Sequence, residues 1–393
     1  MYDILEIRKD FPVLDDVIYL DSAATTQTPV QVVSAVNNYF YKYAGNYGRG
    51  AHRLARETTN HYEDSRENVA RFMNVDPSKT IMTKNATESI NMVALGINWN
   101  LGDHIVTTSL EHHTDLLPWM RLKEKGVDMT VVPPDENGII NPDEIASSIT
   151  DGTRLVAVTH VSNVFGSVQD IGEITRITHK AGVMVLIDGA QSLGHIPVDV
   201  GSIGCDFFAA SGHKGLLGPQ GTGLLYVREP EIMEPSYFGG GMVHSVTTTG
   251  FELEPCPTKF ESGTPNMPGV IGLGRGVEYV QNVGVANIEK HEKSLVKNTA
   301  SRLAEIPYVE VYGPDDRCGV VSFNITGLNS HDVAMILDET SSVCVRSGYH
   351  CAMPALQSIG VEGTVRASVG LYNTQEEIDT FIDAVSQITS LVG

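Results

Sequence analysis

The sequence predicts an α/β fold with a mostly parallel central sheet, joined to a smaller α+β domain. Between about residues 62 and 225, short apolar, β-branched runs alternate with stretches of helical periodicity. This alternation is typical of parallel strands that are covered by helices on both faces. After Gly239-Gly240-Gly241 the pattern changes to a loop-rich stretch and then to amphipathic helices. A chain of 393 residues is long enough for two or three domains.

The predicted elements of the large domain follow in order. We predict strands at residues 80–83, 104–107, 129–132, 155–159, 184–187 and 206–210. Helices are predicted between them at residues 89–97, 116–125 and 171–181. Sheets of this kind bind ligands at the carboxyl ends of their strands, so the residues after each strand are the candidate site.

The smaller domain is predicted to begin with a helical region at residues 269–303. It continues with strands at 320–325, 343–345 and 364–369, and with helices at 331–338 and 375–391. We expect the large domain to span residues 18–265, and the small domain to combine residues 1–17 with residues 266–393.

Composition and charge limit the function classes. The net charge of −21, without a basic stripe, disfavours binding to nucleic acid or to anionic membranes. The first ten residues carry charges and lack a signal peptide's apolar stretch, and no run approaches the ~20 apolar residues of a membrane helix. The five cysteines are odd in number and never spaced as CxxC, which favours a reducing compartment without disulfides or a zinc site. We therefore predict a cytoplasmic enzyme.

Two strand ends carry groups that suit a phosphate and a pyridine ring. Ala86 and Thr87 open a helix after the strand at 80–83, where backbone N–H groups can bind phosphate; an ordinary threonine cap with Glu88 in the first turn is the alternative. Asp188 ends an apolar strand and needs a partner. It is either a helix cap or the partner of a protonated pyridine nitrogen.

Two further strand ends carry a lysine and a pair of histidines. Ser211-Gly212-His213-Lys214 follows the strand at 206–210, so Lys214 is either merely exposed or a Schiff-base lysine. Glu111-His112-His113 suggests a metal, but no further ligand stands at the required spacing, and one imidazole stacked on an aromatic ring fits as well. Together the four clusters predict a pocket for a phosphate, a pyridinium and an aldehyde, and no metal.

The loop from Arg346 to Pro354 contains the candidate nucleophile, Cys351. Its flanks are Gly, Tyr, His and Arg, and we expect Arg346 and His350 to lower the pKa of the Cys351 thiol and so favour the thiolate. Cys205, Cys318 and Cys344 are interpreted as buried, small apolar residues, and Cys256, between two prolines, as an unreactive loop thiol.

These motifs occur in the order found in a known family. The sequence resembles the group II cysteine desulfurases of the SUF type, within the class V aminotransferase family, over nearly its whole length. The resemblance rests on the segments at residues 11–14, 19–25, 111–113, 118–119, 159–164, 188–191, 211–214, 260–266, 346–354 and 366–368. It implies the fold type I of pyridoxal-phosphate enzymes, with pyridoxal 5'-phosphate as cofactor and the cysteine loop in the small domain.

The resemblance also implies roles for individual residues. Lys214, Cys351 and His112 are expected to be catalytic, with Lys214 holding the cofactor and His112 stacking on its ring. Arg366 is expected to grip the substrate carboxylate through a bidentate pair. The expected cofactor-binding residues are Ala86, Thr87, His112, Asn163, Asp188, Gln191, Ser211, His213, Lys214 and, from a second subunit, Thr264. The expected substrate-binding residues are Ala23, Asn163, Arg346 and Arg366, with Arg49 and His52 near the entrance.

The implied function is removal of sulfur from L-cysteine, which gives L-alanine and a persulfide on Cys351. The sulfur would pass to an acceptor protein for iron–sulfur cluster assembly, and the enzyme would be a homodimer with its sites at the subunit interface. Two alternatives stay open at this point: a lyase that acts on selenocysteine or cysteine sulfinate, and a non-catalytic scaffold in an iron–sulfur assembly complex.

Overall fold

A computed structural model describes residues 3–390. The ends of the predicted domain ranges at residues 1–2 and 391–393, and the last residue of the helix predicted at 375–391, lie outside the described residues. The strands are β1 Ile18–Tyr19, β2 Thr80–Thr83, β3 His104–Thr108, β4 Asp128–Val132, β5 Thr153–Thr159, β6 Met184–Asp188, β7 Phe207–Ser211, β8 Gly223–Val227, β9 Val243–Val246, β10 Phe251–Leu253, β11 Val309–Tyr312, β12 Val320–Ile325, β13 Val343–Cys344, β14 Arg346–Gly348 and β15 Thr364–Ser368. The α-helices are α1 Ile4–Arg8, α2 Val30–Asn38, α3 Arg53–Phe72, α4 Ala86–Gly96, α5 Leu117–Arg121, α6 Pro142–Ser148, α7 Ile171–Lys180, α8 Val200–Ile203, α9 Met267–Val283, α10 Val285–Glu305, α11 Ser330–Ser341, α12 Met353–Gln357 and α13 Gln375–Ser390.

A seven-stranded sheet forms the centre of the large unit, in the order β2-β8-β7-β6-β5-β3-β4. Pairs from β7 to β4 are parallel, whereas β8 is antiparallel to both of its neighbours. Strand β8 was not predicted. It follows β7 through a turn without a crossover helix, and that short connection allows only an antiparallel return.

Both faces of this sheet are buried, which explains why its strands read as continuous apolar runs. Neighbouring residues of β5 point to opposite faces: Val156 and Val158 belong to the core on one side, and Leu155 and Ala157 to the core on the other. The side chains that remain for chemistry are therefore the ones at the strand ends.

The smaller unit contains a four-stranded antiparallel sheet in the order β11-β12-β15-β14, against which α10 and α11 pack, with α13 packing on both helices. The helical region predicted at 269–303 is two helices, because Gly284 adopts a φ of 87° and ends α9. Helix α9 packs on α2 and α3, and β1 pairs with β13. The predicted domain ranges stay a proposal.

Strands β9 and β10 form a separate exposed hairpin, which was not predicted. No helix among residues 3–390 is long and apolar enough to cross a membrane.

Candidate active site

A pocket of about 220 Å³ opens where β5, β6 and β7 end and where α4 begins. Nine of the ten predicted cofactor-binding residues line it, and Thr264 is the exception. The full lining is Ala24, Asn85, Ala86, Thr87, His112, Thr114, Thr159, Val161, Asn163, Asp188, Ala190, Gln191, Ser211, His213 and Lys214. Because the carboxyl ends of adjacent parallel strands meet at one edge, residues distant in sequence converge here.

Lys214 enters the pocket from the loop after β7, and its backbone is fixed from outside that loop. Thr26 donates its hydroxyl to the Lys214 carbonyl (2.7 Å) and its amide to the His213 carbonyl (3.0 Å). Burial lowers the pKa of the Lys214 ammonium to about 8, although Asp188 opposes the change. Lys214 makes no ion pair with any residue in the described range. The neutral amine is therefore more abundant near pH 7 than in an ordinary lysine, which suits a lysine that must attack an aldehyde.

Asp188 is buried at the end of β6. Its Oδ1 accepts a hydrogen bond from the Ala190 amide at 2.9 Å, and burial raises the pKa of its carboxyl while Lys214 opposes that rise. A buried carboxyl with so little compensation is costly unless a cation or a donor faces it. A protonated pyridine nitrogen would supply both, so this position fits pyridoxal phosphate.

His112 is neutral in this pocket. Its Nδ1 accepts a hydrogen bond from the Thr114 amide (3.1 Å), so the ring proton is on Nε2. Burial, with the nearby Lys214 ammonium, lowers the pKa of His112 to about 3. A neutral ring that offers one N–H suits stacking and proton donation better than proton abstraction.

The groups that could hold a phosphate gather at the first turn of α4. The Ala86 amide donates to Ser211 Oγ (3.2 Å), and the hydroxyls of Thr87 and Thr114 are 2.9 Å apart. Unpaired amides and the helix dipole make such an end attractive to anions. Thr264 lies in a different cavity, together with Tyr62 and Glu261. That Thr264 binds the cofactor from a second subunit stays a prediction.

Arg366 lies on β15, behind Asn163, and is buried. It donates from Nη1 to the Asn163 carbonyl (3.0 Å) and from Nη2 to Asp21 Oδ1 (3.1 Å), while its Nε has no partner within residues 3–390. An unpaired buried donor is costly, so this position could accept a carboxylate. Ala23 is held nearby, since its carbonyl accepts from Gln191 Nε2 (2.8 Å).

Cys351 is exposed and lies in a strained turn that connects Tyr349 to Ala352. Both central residues have positive φ angles, 50° for His350 and 56° for Cys351. Such turns favour glycine, asparagine or aspartate, and the left-handed region costs other residues about 1–2 kcal/mol each. Asn163 Nδ2 donates to the His350 carbonyl (2.7 Å), so a pocket residue holds this turn.

The prediction that His350 promotes the thiolate is wrong. Its Nε2 donates to the Thr364 carbonyl (3.1 Å), and burial, together with the cationic Arg366, lowers the pKa of His350 to about 2. The ring is therefore neutral and cannot stabilise a negative charge on sulfur. The buried ring instead connects the turn to Thr364 of β15.

Besides Ala23, Arg366, Cys351 and Thr264, three further predicted residues lie outside the lining of the pocket. Arg346 is exposed on β14, opposite Arg366 in the strand register. Arg49 contacts the β9–β10 hairpin through the Val243 carbonyl, and His52 caps α3 by accepting from the Ala55 amide. The proposed roles of these three at the entrance stay predictions.

The sequence reasoning missed a buried carboxyl pair behind the pocket. Glu111 Oε1 accepts from Thr108 Oγ1 (2.6 Å) and from the Thr159 amide (3.1 Å), and Trp119 Nε1 donates to Asp115 Oδ1 (3.0 Å). Burial raises the pKa of Glu111 to about 8 and that of Asp115 well above its usual range. The pair therefore retains a proton near neutral pH. In the sequence, the only indication of this carboxyl pair was that Trp119 follows Asp115 by four residues.

No group of three or more His, Cys, Asp or Glu side chains in the part of the chain that the structure describes is arranged to hold a metal ion. His112 and His113 both point their ring nitrogens at backbone amides, of Thr114 and Met353 respectively. Each of the two adjacent histidines thus accepts a hydrogen bond from a different backbone amide.

Comparison with known proteins agrees with this site. The family model described as "Aminotransferase class-V" matches residues 18–381. The chain belongs to the class V aminotransferase family. Within it, the chain is 45% identical to a probable cysteine desulfurase from Methanothermobacter thermautotrophicus, with 98% of each chain covered. The family predicted from the sequence motifs is confirmed, whereas the SUF-type subgroup stays a prediction.

Two solved structures of this family share the fold. The apo cysteine desulfurase from Thermococcus onnurineus NA1 superposes with a TM-score of 0.95 at 43% identity and covers 98% of both chains. The cysteine desulfurase CsdA from Escherichia coli gives a TM-score of 0.93 at 35% identity, covering 100% of this chain and 99% of the other. The predicted fold class, a large mostly parallel sheet with a smaller α+β unit, is confirmed.

Proposed function

We propose that this class V family member is a pyridoxal-phosphate-dependent cysteine desulfurase that converts L-cysteine to L-alanine and retains the sulfur on Cys351. One observation supports this best: the strained turn that contains the exposed Cys351 is held at its His350 carbonyl by Asn163, a residue of the lysine-containing pocket. A plain aminotransferase would have no use for such a turn.

Pyridoxal phosphate, when bound here, supplies an electron sink for the electrons released from the substrate Cα–H bond. We propose that Lys214 holds it, that Asp188 pairs with its ring nitrogen and that His112 covers its ring. Ala86, Thr87, Ser211 and His213 surround the phosphate position. Asn163 and Gln191 lie on the substrate side.

Arg366 binds the substrate carboxylate, and its free Nε together with one Nη provides the bidentate fork. Ala23, with Asn163, bounds the substrate position. Lys214, once released from the cofactor, removes the Cα proton; its lowered pKa lets the neutral amine act as base near neutral pH. His112, which is neutral with its proton on Nε2, can only donate that proton.

Sulfur transfer is then a displacement at the substrate sulfur. The Cys351 thiolate forms an S–S bond, the substrate C–S bond breaks, and its electron pair stays on carbon, which is protonated and leaves as L-alanine. Sulfur is oxidised and carbon is reduced, so no external oxidant is needed. Cys351 ends as a persulfide.

Two variants test this function. Cys351→Ala should retain the absorbance of the lysine-bound cofactor but produce no alanine from cysteine. Lys214→Ala should lose both the borohydride-reducible cofactor linkage and turnover. Full desulfuration by Cys351→Ala would refute the persulfide mechanism, and unchanged activity on selenocysteine or cysteine sulfinate in that variant would favour a lyase. Absence of alanine production by the wild type would favour the scaffold.

The same proposal includes the assembly and the cell compartment. We propose a homodimer in which Thr264 of one subunit reaches the phosphate of the other, and an acceptor protein that takes the persulfide sulfur for iron–sulfur cluster assembly. The exposure of Cys351 supports delivery to a partner. All five cysteines are free, which supports a reducing, cytoplasmic location.

A further inference from the structure

His113 has no role in the cofactor pocket, although it directly follows His112. Its side chain is half-buried and lies beside the cysteine turn of the small unit. The His113 amide donates to the Cys351 carbonyl at 2.7 Å, and His113 Nε2 accepts from the Met353 amide at 3.3 Å. One residue of the large unit thus binds the backbone at the reactive cysteine and again two residues after it.

The turn needs such support because its backbone is unfavourable. Two consecutive residues with side chains, His350 and Cys351, hold positive φ angles, a conformation that persists only where surrounding contacts enforce it. Three hydrogen bonds from the large unit do so: Asn163 holds the His350 carbonyl, and His113 provides the other two.

The direction of the Met353 hydrogen bond fixes the state of the His113 ring. An amide can only donate, so Nε2 must be an unprotonated acceptor and the ring proton must be on Nδ1. His112 has the opposite tautomer, because its Nδ1 accepts from the Thr114 amide. The two adjacent histidines therefore have different surroundings: His112 lines the cofactor pocket, and His113 contacts the backbone of the cysteine turn.

We propose that His113 is a positioning residue for sulfur transfer: its ring accepts from the Met353 amide and thereby holds the turn that contains Cys351 against the large unit. This inference rests on the proposed desulfurase function. It predicts that loss of the ring acceptor loosens the turn and slows the step that needs Cys351. Binding of the substrate carboxylate at Arg366 is unaffected.

The test compares three variants of the cofactor-loaded enzyme. His113→Leu removes the acceptor, and His113→Gln keeps an acceptor oxygen at about the reach of Nε2. His61→Leu is the matched control, since His61 is exposed on α3 and contacts Tyr43. Hydrogen–deuterium exchange of a peptide covering residues 349–356 reports on the turn, and steady-state kinetics report on its use.

For His113→Leu we expect exchange to be at least about 5-fold faster in this peptide and kcat for alanine to fall about 5- to 10-fold, as expected for one hydrogen bond. KM for cysteine and the cofactor absorbance should stay unchanged. His113→Gln should restore most of both values, and His61→Leu should match the wild type.

Wild-type exchange and kcat in His113→Leu would overturn the proposal, as would a His113→Gln variant impaired as strongly as His113→Leu. The exchange experiment needs no turnover. If the wild type produced no alanine, the proposed function would fail, while the exchange result would still decide whether His113 anchors the turn.

Discussion

At the scale of single residues, Arg366 combines burial with an unpaired donor, which supports its proposed role in binding the substrate carboxylate. The guanidinium is buried, one amine is paired with Asp21 and another with the Asn163 carbonyl, and Nε has no partner in the described part of the chain. Burial lowers the pKa of Arg366, with Asp21 opposing this change. The group is pre-oriented and incompletely satisfied, so a carboxylate gains more here than at the surface.

Replacing Arg366 with lysine tests this interpretation. Lysine keeps the charge but loses the planar fork, so Arg366→Lys should raise KM for cysteine about 10- to 100-fold, the equivalent of one charge-assisted hydrogen bond. Steady-state rates of alanine production at a series of cysteine concentrations measure this KM. Arg275→Lys, at an exposed pair with Glu278 on α9, is the control and should change nothing. An unchanged KM in Arg366→Lys would remove Arg366 from the substrate site.

At the scale of elements, a buried ion pair ties α3 to the segment that contains Thr264. Arg66 of α3 donates to both oxygens of Glu261, at 2.5 and 2.9 Å, and to the Thr80 carbonyl at 2.8 Å. Glu261 also accepts from the Met82 amide at 2.7 Å. The pair thus joins a helix, an edge strand and a loop, which explains why a glutamate stands in this loop.

Breaking that pair from one side should be costly. Arg66→Met leaves Glu261 buried without its cation, so we expect the free energy of unfolding to fall by about 3–5 kcal/mol. The double variant Arg66→Met/Glu261→Met should recover only part of that loss, because it removes the unpaired carboxylate but also the acceptor of the Met82 amide. Arg53→Met on the exposed face of α3, where Arg53 pairs with Glu57, should cost no more than about 0.5 kcal/mol. Denaturant titration distinguishes these outcomes, and equal midpoints for Arg66→Met and Arg53→Met would contradict the prediction.

At the scale of the whole molecule, buried neutral histidines link stability to pH. Burial lowers the pKa of His160 to about 4, and those of His112 and His350 to about 3 and 2. The unfolded chain binds protons to these rings below pH 6.5, whereas the folded chain does not. The stability that they contribute is therefore fully present above pH 6.5 and is lost as the pH falls toward the folded-state pKa.

The His160→Gln variant isolates one such group. The free energy of unfolding of the wild type should fall relative to this variant by up to about 1.4 kcal/mol per pH unit between about pH 6.5 and 4. Denaturant titrations across that range measure the difference. Val158→Ala, a core change in β5 two residues before His160, should lower stability by the same amount at every pH. A pH-independent difference for His160→Gln would mean that its ring is not neutral in the folded state.

Some features of the molecule follow from the sequence because they are local. The alternation of apolar strands and helices predicts a sheet buried on both faces, and the polar residues after 80–83, 184–187 and 206–210 predict where a pocket must lie. Ordered motifs around Lys214 and Cys351 identified the family, which is confirmed. The individual roles of those residues stay predictions.

Other features were decided only by the tertiary structure. The strand β8 pairs in reverse because of the turn that precedes it, and no periodicity encodes that direction. The charge of His350 and the proton on the Glu111–Asp115 pair depend on how completely distant segments exclude water. The hydrogen bond from the Met353 amide to His113 joins residues 240 positions apart in the chain. Desolvation and backbone hydrogen bonding of this kind exist only after both units have packed together, so the sequence alone could not predict them.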